Sequence, residues 1–336
     1  MDMPVTAAAF GIALAGAYLL TPVAMSLARR FGIMDRPNKK LKKHRNPTPY
    51  LGGLAIFLAF AGATMAVKLI HAGTPRGVVG VLAGATIVFL VGLFDDIRPL
   101  KPWQKMGLQI LAASVPIYFG VHIKFIDNPW GNIPLTIFWI VGITNAFNLL
   151  DVMDGLSSGV AALAALCFWA ISARTGRLND AILAASIAGA CGGFLIHNRP
   201  PARVFMGDAG SLFLGFSLAA VAIGEGYSLR TEMGVMAPLM ILGVPIFETL
   251  FLMAIRWQAG KPVMQGSPDH IALRLRKMGM STWQCLGWLW GAALGLSLAA
   301  FWMIRLNWER ALLVCVGVVF IAFLAAVRLA SVKMDD

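Results

Sequence analysis

Apolar segments recur along this chain from end to end, and most approach the ~20 residues that an α-helix needs to cross a bilayer. The strict alternation of apolar and polar positions that is typical of a membrane β-strand does not occur. The pattern therefore predicts an all-α, polytopic integral membrane protein that forms one domain over residues 1–336. The eleven predicted transmembrane helices are Val5–Leu27, Leu51–Ile70, Val78–Phe94, Met106–Val121, Pro134–Leu150, Leu156–Ser172, Asp180–Ile196, Ser211–Glu225, Gly234–Ile255, Trp283–Ile304 and Ala311–Val327.

Composition supports this fold class and limits the partners. Apolar residues make up 58% of the chain and charged residues only 13%, about half the charged fraction of a soluble domain. The four cysteines all lie inside apolar segments without CxxC spacing, so neither a disulfide nor a zinc site is expected. The net charge of +12 is distributed in a way that indicates membrane orientation, and no nucleic-acid partner is expected.

Positive charge sets the predicted orientation. The first apolar segment has no basic residue before it, and the loop 29–50 that follows is the most basic in the chain. By the positive-inside rule this loop is cytoplasmic. The N-terminus is then outside, and alternation of eleven helices places the C-terminus in the cytoplasm.

Acidic residues concentrate on the same predicted face. Asp95, Asp96, Asp151, Asp154, Asp208 and Asp269 all fall in cytoplasmic loops, although they are far apart in sequence. The sequence thus predicts a site at the cytoplasmic face of the plasma (inner) membrane. The loops expected to build it are 29–50, 95–105, 145–156, 197–211 and 256–284.

The stretch 145–155 is the most unusual of these loops, because four polar side chains follow an apolar run at three-residue spacing. On an α-helix Asn148 and Asp151 share a face, Asn145 and Asp154 lie to either side, and Gly155 can stop the helix. Carboxylates and carboxamides at a lipid-water boundary need a cation among them. A divalent metal that holds a phosphate meets that need; a polar helix end that frays into water is the alternative.

Other candidates allow two interpretations each. Lys43 and His44 can meet phosphates or simply anchor a basic loop on anionic lipid. Asp95 and Asp96 can bind metal and substrate, or be solvated acids. Asp208 can be a helix N-cap, or it can carry a metal beside helix N–H groups that favour phosphate.

The last inward loop carries His270, Arg274 and Arg276, and the two arginines suit the forked hydrogen bonding of a diphosphate. Glu248 lies inside the preceding helix. It is interpreted as an internal packing partner of this region and not as part of the chemistry.

With these residues in view, the sequence resembles the polyprenyl-phosphate N-acetylhexosamine-1-phosphate transferases, the superfamily that includes the phospho-MurNAc-pentapeptide translocase. The resemblance spans about residues 29–279, and the motifs occur in the family's order. The matching motifs are Pro47-Thr48-Pro49-Tyr50-Leu51-Gly52-Gly53, Phe94-Asp95-Asp96, Asn145-Ala146-Phe147-Asn148-Leu149-Leu150-Asp151-Val152-Met153-Asp154-Gly155-Leu156, Pro200-Pro201-Ala202 and Phe205-Met206-Gly207-Asp208-Ala209-Gly210-Ser211.

The resemblance implies ten or eleven transmembrane helices and transfer of a sugar 1-phosphate from a UDP-sugar to a polyprenyl phosphate, with release of UMP. It implies Mg²⁺ as cofactor, with Mn²⁺ as an alternative, held by Asn148 and Asp208. Asp95 and Asp96 would serve the lipid phosphate and catalysis, and Asp151 and Asp154 would line the nucleotide-sugar pocket. The residues expected to bind substrate are Lys43, His44, Asn145, Asn148, His270 and Arg274.

Three positions depart from the family pattern. Val152 replaces the first glycine of Asp-Gly-x-Asp-Gly, and Tyr50 replaces the arginine before Leu-Gly-Gly. The His-x-His-His-Arg stretch appears as residues 270–274, which keep one histidine and the arginine. A plain N-acetylhexosamine donor is therefore favoured over a muramyl-pentapeptide donor.

Two other functions are compatible with these residues. A transporter or lipid flippase would use the acids to carry protons or cations, but such acids belong near the bilayer midplane. A catalytically silent family member is the other alternative, because of the replaced histidines. Membrane lipids are expected partners in every case, and a homodimer is also allowed.

Overall fold

The computed structural model describes residues 3–35, 47–71, 73, 75–124, 128–224, 232–262 and 268–334. Helices dominate these residues. In chain order the helices are α1 (Met3–Phe31), α2 (Gly52–Ile70), α3 (Arg76–Ile97), α4 (Pro102–Tyr118), α5 (Pro129–Leu150), α6 (Leu156–Thr175), α7 (Leu178–Asn198), α8 (Gly207–Gly224), α9 (Ala237–Ile241), α10 (Gly243–Gln258), α11 (Ile271–Lys277), α12 (Thr282–Met303) and α13 (Trp308–Ala330), with a 3₁₀ turn at Glu232–Met236.

The protein is an all-α, polytopic membrane protein, as the apolar pattern predicts. Among the described residues, nine helices are long and apolar enough to cross a membrane, or ten if one bent pair forms a single span. The predicted span at Met106–Val121 corresponds to α4, which has 17 residues and, at about 1.5 Å per residue, is shorter than a ~30 Å hydrocarbon core.

The continuous helix predicted over 234–255 is wrong, because the structure bends this segment by 71° between Ile241 and Gly243. Pro245 explains the break. Its ring clashes with the carbonyl of the residue four positions earlier, Ile241, where α9 ends.

Two short strands, which the apolar pattern does not predict, lie within the basic loop 29–50. β1 (Met34–Asp35) and β2 (Thr48–Pro49) pair antiparallel, with Met34 opposite Pro49. A residue before proline is restricted to extended conformations, and Thr48 has this position.

Contacts within the chain define two compact units, Met1–Glu225 and Gly226–Asp336. The prediction of a single domain stays a prediction. In the first unit α8 is the most buried helix and packs against α2, α3, α5, α6 and α7. In the second unit α13 exposes most of its apolar side chains, as a lipid-facing helix does.

Two glycines let neighbouring helices approach the N-terminus of α8. A Cβ on Gly53 of α2 would lie 2.3 Å from the backbone nitrogen of Gly210, and a Cβ on Gly92 of α3 would lie 2.5 Å from the carbonyl oxygen of Asp208. The absence of a side chain at Gly53 and Gly92 is therefore what allows this packing. These contacts bring the start of α2 and the end of α3 to the beginning of α8.

Candidate active site

The N-terminus of α8 binds a carboxylate of α3. Asp96 Oδ1 accepts a hydrogen bond from the backbone N–H of Asp208 at 2.7 Å, and Asp96 Oδ2 accepts one from Ala209 at 3.0 Å. Gly207 is required here because its φ is +69° and a Cβ would lie 2.5 Å from Asp96 Oδ2. The N–H groups predicted to favour phosphate are therefore bonded to Asp96.

A lysine ammonium lies among the carboxylate and amide oxygens for which the sequence predicts a cation. Lys105 Nζ, on α4, lies 2.9 Å from Asp95 Oδ2 and 3.3 Å from Asn148 Oδ1, and it forms a short contact with Asp208 Oδ2. Asn148 Nδ2 donates to Asp208 Oδ1 at 2.8 Å and to Ser211 Oγ at 3.0 Å. Four helices thus converge on one charged cluster, which we call the Lys105 cluster: Asp95, Lys105, Asn148 and Asp208.

Sequence reasoning missed Lys105 as a site residue. A signal was present, since Lys105 and Gln109 are one turn apart on the same face of α4. Gln109 and Asn145 form a reciprocal amide pair, with Asn145 Nδ2 donating to Gln109 Oε1 at 2.6 Å. Asn145 also donates to the Val141 carbonyl at 2.8 Å, so its predicted substrate contact stays a prediction.

The segment between α5 and α6 holds the other two predicted acids. Helix α5 ends at Leu150, so Asp151 follows the helix instead of sharing its face with Asn148. The prediction that Gly155 stops α5 is wrong. Gly155 instead precedes α6, with a left-handed φ of 74°. Asp154 Oδ2 accepts a hydrogen bond from the Ala202 N–H at 2.9 Å.

A buried asparagine, Asn198, ties the same segment to the loop before α8. Its Oδ1 accepts hydrogen bonds from the Gly155 N–H at 3.0 Å and the Ser158 hydroxyl at 3.1 Å, and its Nδ2 donates to the Val204 carbonyl at 2.9 Å. Asn198 and Asp154 together hold loop 197–211 against segment 151–155.

Burial raises the pKa of Asp151 from the ordinary 3.8 to about 8, and the nearby Asp208 and Asp154 carboxylates add to the shift. The folded protein therefore keeps a proton that the unfolded chain loses. This difference lowers the free energy of unfolding as pH rises from about 4 to about 8.

We expect Asp151→Asn to remove this pH dependence. Thermal unfolding in detergent, with chelator and without substrates, should show the variant gaining melting temperature relative to the parent protein between about pH 5 and about pH 8. An equal difference in melting temperature at both pH values would contradict the assignment of a raised pKa to Asp151.

The loop before α2 pairs with the loop before α8. The Phe205 N–H donates to the Pro49 carbonyl at 2.9 Å, the Gly52 N–H to the Phe205 carbonyl at 2.9 Å, and the Gly53 N–H to the Met206 carbonyl at 3.0 Å. Tyr50 packs edge-on against Phe205, with ring centroids 6.4 Å apart. Burial and the neighbouring Asp96 carboxylate raise the pKa of Tyr50, so its phenol is neutral.

Tyr50 and Asp96 also line a cavity of about 320 Å³, together with residues 31–35 and Ile97. Lys43 and His44, which were predicted to meet phosphates, lie outside the described residues.

His270 and Arg274 make their polar contacts with other residues of the second unit. His270 Nδ1 lies 2.8 Å from Glu248 Oε1, and the Ile271 N–H donates to the same carboxylate at 3.2 Å. The packing role predicted for Glu248 agrees with these contacts.

Arg274 is 3% exposed, and its guanidinium donates to Asp269 Oδ1 at 2.8 Å and to the carbonyls of Leu329 and Val332 at the end of α13. It also lies over the Phe251 ring. These contacts favour a structural role for Arg274, and its predicted phosphate contact stays a prediction.

The oxygens of the Lys105 cluster suit a hard divalent cation. Among the described residues no three Asp, Glu, His or Cys side chains form a metal-binding group. Asp95, Asp208 and the amide oxygen of Asn148 nevertheless surround one positive charge already. Mg²⁺ commonly takes one or two carboxylates and fills its other positions with water and phosphate oxygens, so this set of donors fits it.

Comparison with known proteins identifies related sequences. The family model described as glycosyl transferase family 4 matches residues 78–225. The chain is 32% identical over 282 residues to the probable undecaprenyl-phosphate N-acetylglucosaminyl 1-phosphate transferase of Bacillus subtilis, an alignment covering 81% of this chain and 78% of the relative.

Two further relatives are similar at the same level. The decaprenyl-phosphate N-acetylglucosaminephosphotransferase of Mycobacterium tuberculosis is 31% identical, over 79% of this chain and 74% of that protein. The phospho-N-acetylmuramoyl-pentapeptide-transferase of Limosilactobacillus fermentum is 31% identical, over 83% of this chain and 92% of that protein.

Proposed function

Because the chain belongs to the family of polyprenyl-phosphate N-acetylhexosamine-1-phosphate transferases, we propose that it transfers a sugar 1-phosphate from a UDP-sugar to a polyprenyl phosphate and releases UMP. The observation that carries the proposal is the Lys105 cluster. It gathers oxygen donors and a cation from three of the loops that the motifs mark. The product is a polyprenyl-diphosphate sugar, which starts a lipid-linked cell-envelope glycan.

The names of the relatives support N-acetylglucosamine as the sugar. A muramyl-pentapeptide donor is less well supported, because Ile271 and Ala272 follow His270 where that branch has consecutive histidines. We place the site at the cytoplasmic face of the plasma membrane, since the described ends of the most basic loop, residues 31–35 and Tyr50, line a cavity with Asp96. With α4 and the bent pair α9–α10 counted as spans, the described residues form eleven transmembrane spans.

Asn148 and Asp208 would hold Mg²⁺, or Mn²⁺ in its place, with Asp95 as a neighbouring ligand. The bound metal supplies charge neutralisation for the diphosphate. The protein's own contribution is placement: Asp96 fixes the start of α8, and Asp154 and Asn198 hold the loop before it.

The acceptor needs little help from a base. A phosphate monoester has its second pKa near ~6, so the lipid phosphate is mostly a dianion at neutral pH. One of its oxygens attacks the β-phosphorus of the donor, a new P–O bond forms, and the bond to the bridging oxygen breaks. The electron pair leaves with UMP. Among the described residues, Lys105 is placed to stabilise the developing charge, whereas the guanidinium of Arg274 is bonded to carbonyls at the end of α13.

The rival mechanism passes through an aspartyl phosphate on Asp95 or Asp96. Enzyme incubated with UDP-sugar and labelled UMP, without lipid acceptor, separates the two. Direct attack predicts no label in the UDP-sugar, because no sugar-phosphate is transferred until the acceptor binds. Exchange of UMP into the donor would establish the covalent route.

The proposed function is tested by measuring UMP release from several UDP-sugars with undecaprenyl phosphate and Mg²⁺. We expect release that requires the lipid and is fastest with UDP-N-acetylglucosamine. A transporter or flippase would move its substrate between leaflets without releasing UMP. A silent family member would bind UDP-sugar without turnover, and either outcome would contradict the proposal.

A further inference from the structure

The Lys105 ammonium and the proposed divalent cation share the same oxygen atoms. Lys105 Nζ contacts Asp95 Oδ2, Asp208 Oδ2 and Asn148 Oδ1. Asn148 and Asp208 are also the residues that would hold the metal. Two positive charges cannot both lie against these oxygens without strong repulsion.

The oxygens are held in place by bonds that do not involve Lys105. Asp95 Oδ1 accepts from the Leu100 N–H at 2.6 Å, and Asp208 Oδ1 accepts from Asn148 Nδ2 at 2.8 Å. The Asn148 amide is further anchored on Ser211. The lysine stem, in contrast, has four rotatable methylenes. Exchange of one cation for another therefore needs movement of the lysine only.

We propose that Lys105 is an exchanging cation: it neutralises the Asp95–Asp208 pair until a divalent metal displaces it, and it then binds the phosphates of the donor. This inference rests on the proposed function. It makes metal and lysine competitors in the enzyme without substrate. Once a diphosphate is present, Lys105 and the metal both bind it and no longer compete. The donor should then increase the affinity for metal, and the metal should increase the affinity for donor by the same factor.

The first test measures Mn²⁺ affinity of the full-length protein in detergent, from the electron paramagnetic resonance signal of free Mn²⁺. Without donor, Lys105→Met should bind Mn²⁺ about tenfold more tightly than the parent, because a competing charge is gone. UDP-N-acetylglucosamine should tighten Mn²⁺ binding to the parent but have a much smaller effect on the variant. Lys124→Met, which removes an exposed lysine beyond the other end of α4, should match the parent. Unchanged or weaker Mn²⁺ binding by a folded Lys105→Met protein would overturn the proposal.

The second test uses the protein without any substitution, so it does not depend on how a variant folds. Acetylation of Lys105 by a lysine-specific reagent is followed by mass spectrometry. The rate should rise several-fold when Mn²⁺ is added, because the displaced ammonium is no longer held by the carboxylates, and it should fall again when the donor is added. Lys124 provides the internal control. A Lys105 rate that does not rise with Mn²⁺ would overturn the exchange.

The two tests also separate this inference from the function on which it rests. UMP release together with an unresponsive Lys105 would reject the exchange and keep the transferase assignment. A Lys105 that responds to Mn²⁺ in a protein that releases no UMP would keep the competition between cations and reject the assignment.

Discussion

Asp208→Asn is expected to abolish turnover, with kcat at least about 10³-fold lower, while the protein stays folded in detergent. The substitution removes a negative charge from the Lys105 cluster and replaces one of the two Asp208 oxygens with an NH2 group. Both oxygens accept contacts, Oδ1 from Asn148 and Oδ2 from Lys105, so one of these contacts is lost. Turnover is measured as UMP release, and folding as elution volume and melting temperature.

Glu309→Gln is the matched control for this experiment, since it also removes one carboxylate charge but at an exposed position at the start of α13. It should keep the activity of the parent. Substantial activity in Asp208→Asn would remove Asp208 from the metal site and leave the Lys105 cluster with a structural role only.

Gly92→Ala is expected to reduce activity about 100-fold or more, although the residue carries no chemistry. Its Cβ would lie 2.5 Å from the Asp208 carbonyl oxygen and 2.6 Å from the Ala209 backbone. Both are backbone contacts, so α3 and α8 must move apart. That movement displaces Asp95 and Asp96 from the residues of α8 that they contact.

Gly62→Ala serves as the control, because a Cβ there meets nothing within 4 Å. Alanine is the better helix former, so this variant should be as active as the parent and as stable or slightly more stable. A Gly92→Ala enzyme with normal activity would show that the two helices do not need this spacing for catalysis.

The approximate positions of most helices follow from the apolar segments, because spanning a bilayer requires a length that the sequence displays directly. The predicted count of eleven spans stays a prediction, since nine helices of the described residues, or ten with the bent pair, are long and apolar enough to cross a membrane. The bend before α10 could also have been predicted from the sequence, since the ring of Pro245 prevents a continuous helix through Ile241. It was missed because the hydropathy of the segment is continuous across the break.

The sequence predicts the oxygen-bearing side chains of the site but not the lysine that lies among them. Asp95, Asn148 and Asp208 stand in ordered motifs, and the structure brings them together. Lys105 stands outside every motif, and only the packing of α4 against α5 shows which oxygens it reaches. Sequence alone likewise cannot tell whether a cation such as Arg274 faces a substrate or, as here, the carbonyls at a helix end.

The neighbouring acids Asp95 and Asp96 illustrate the same limit. Adjacent residues on a helix point about 100° apart, so the two side chains meet different surroundings. Their partners come from distant segments: Asp95 faces Lys105, whereas Asp96 holds the start of α8. No local pattern distinguishes these two environments.

A doubly labelled donor tests most directly whether the chain transfers sugar and phosphate together. Purified protein is given undecaprenyl phosphate, Mg²⁺ and UDP-N-acetylglucosamine labelled in both the sugar and the β-phosphorus. We predict that both labels enter the lipid in equal amounts and that the nucleotide product is unlabelled UMP. Sugar label alone in the lipid, with the phosphorus label left in UDP, would contradict this account.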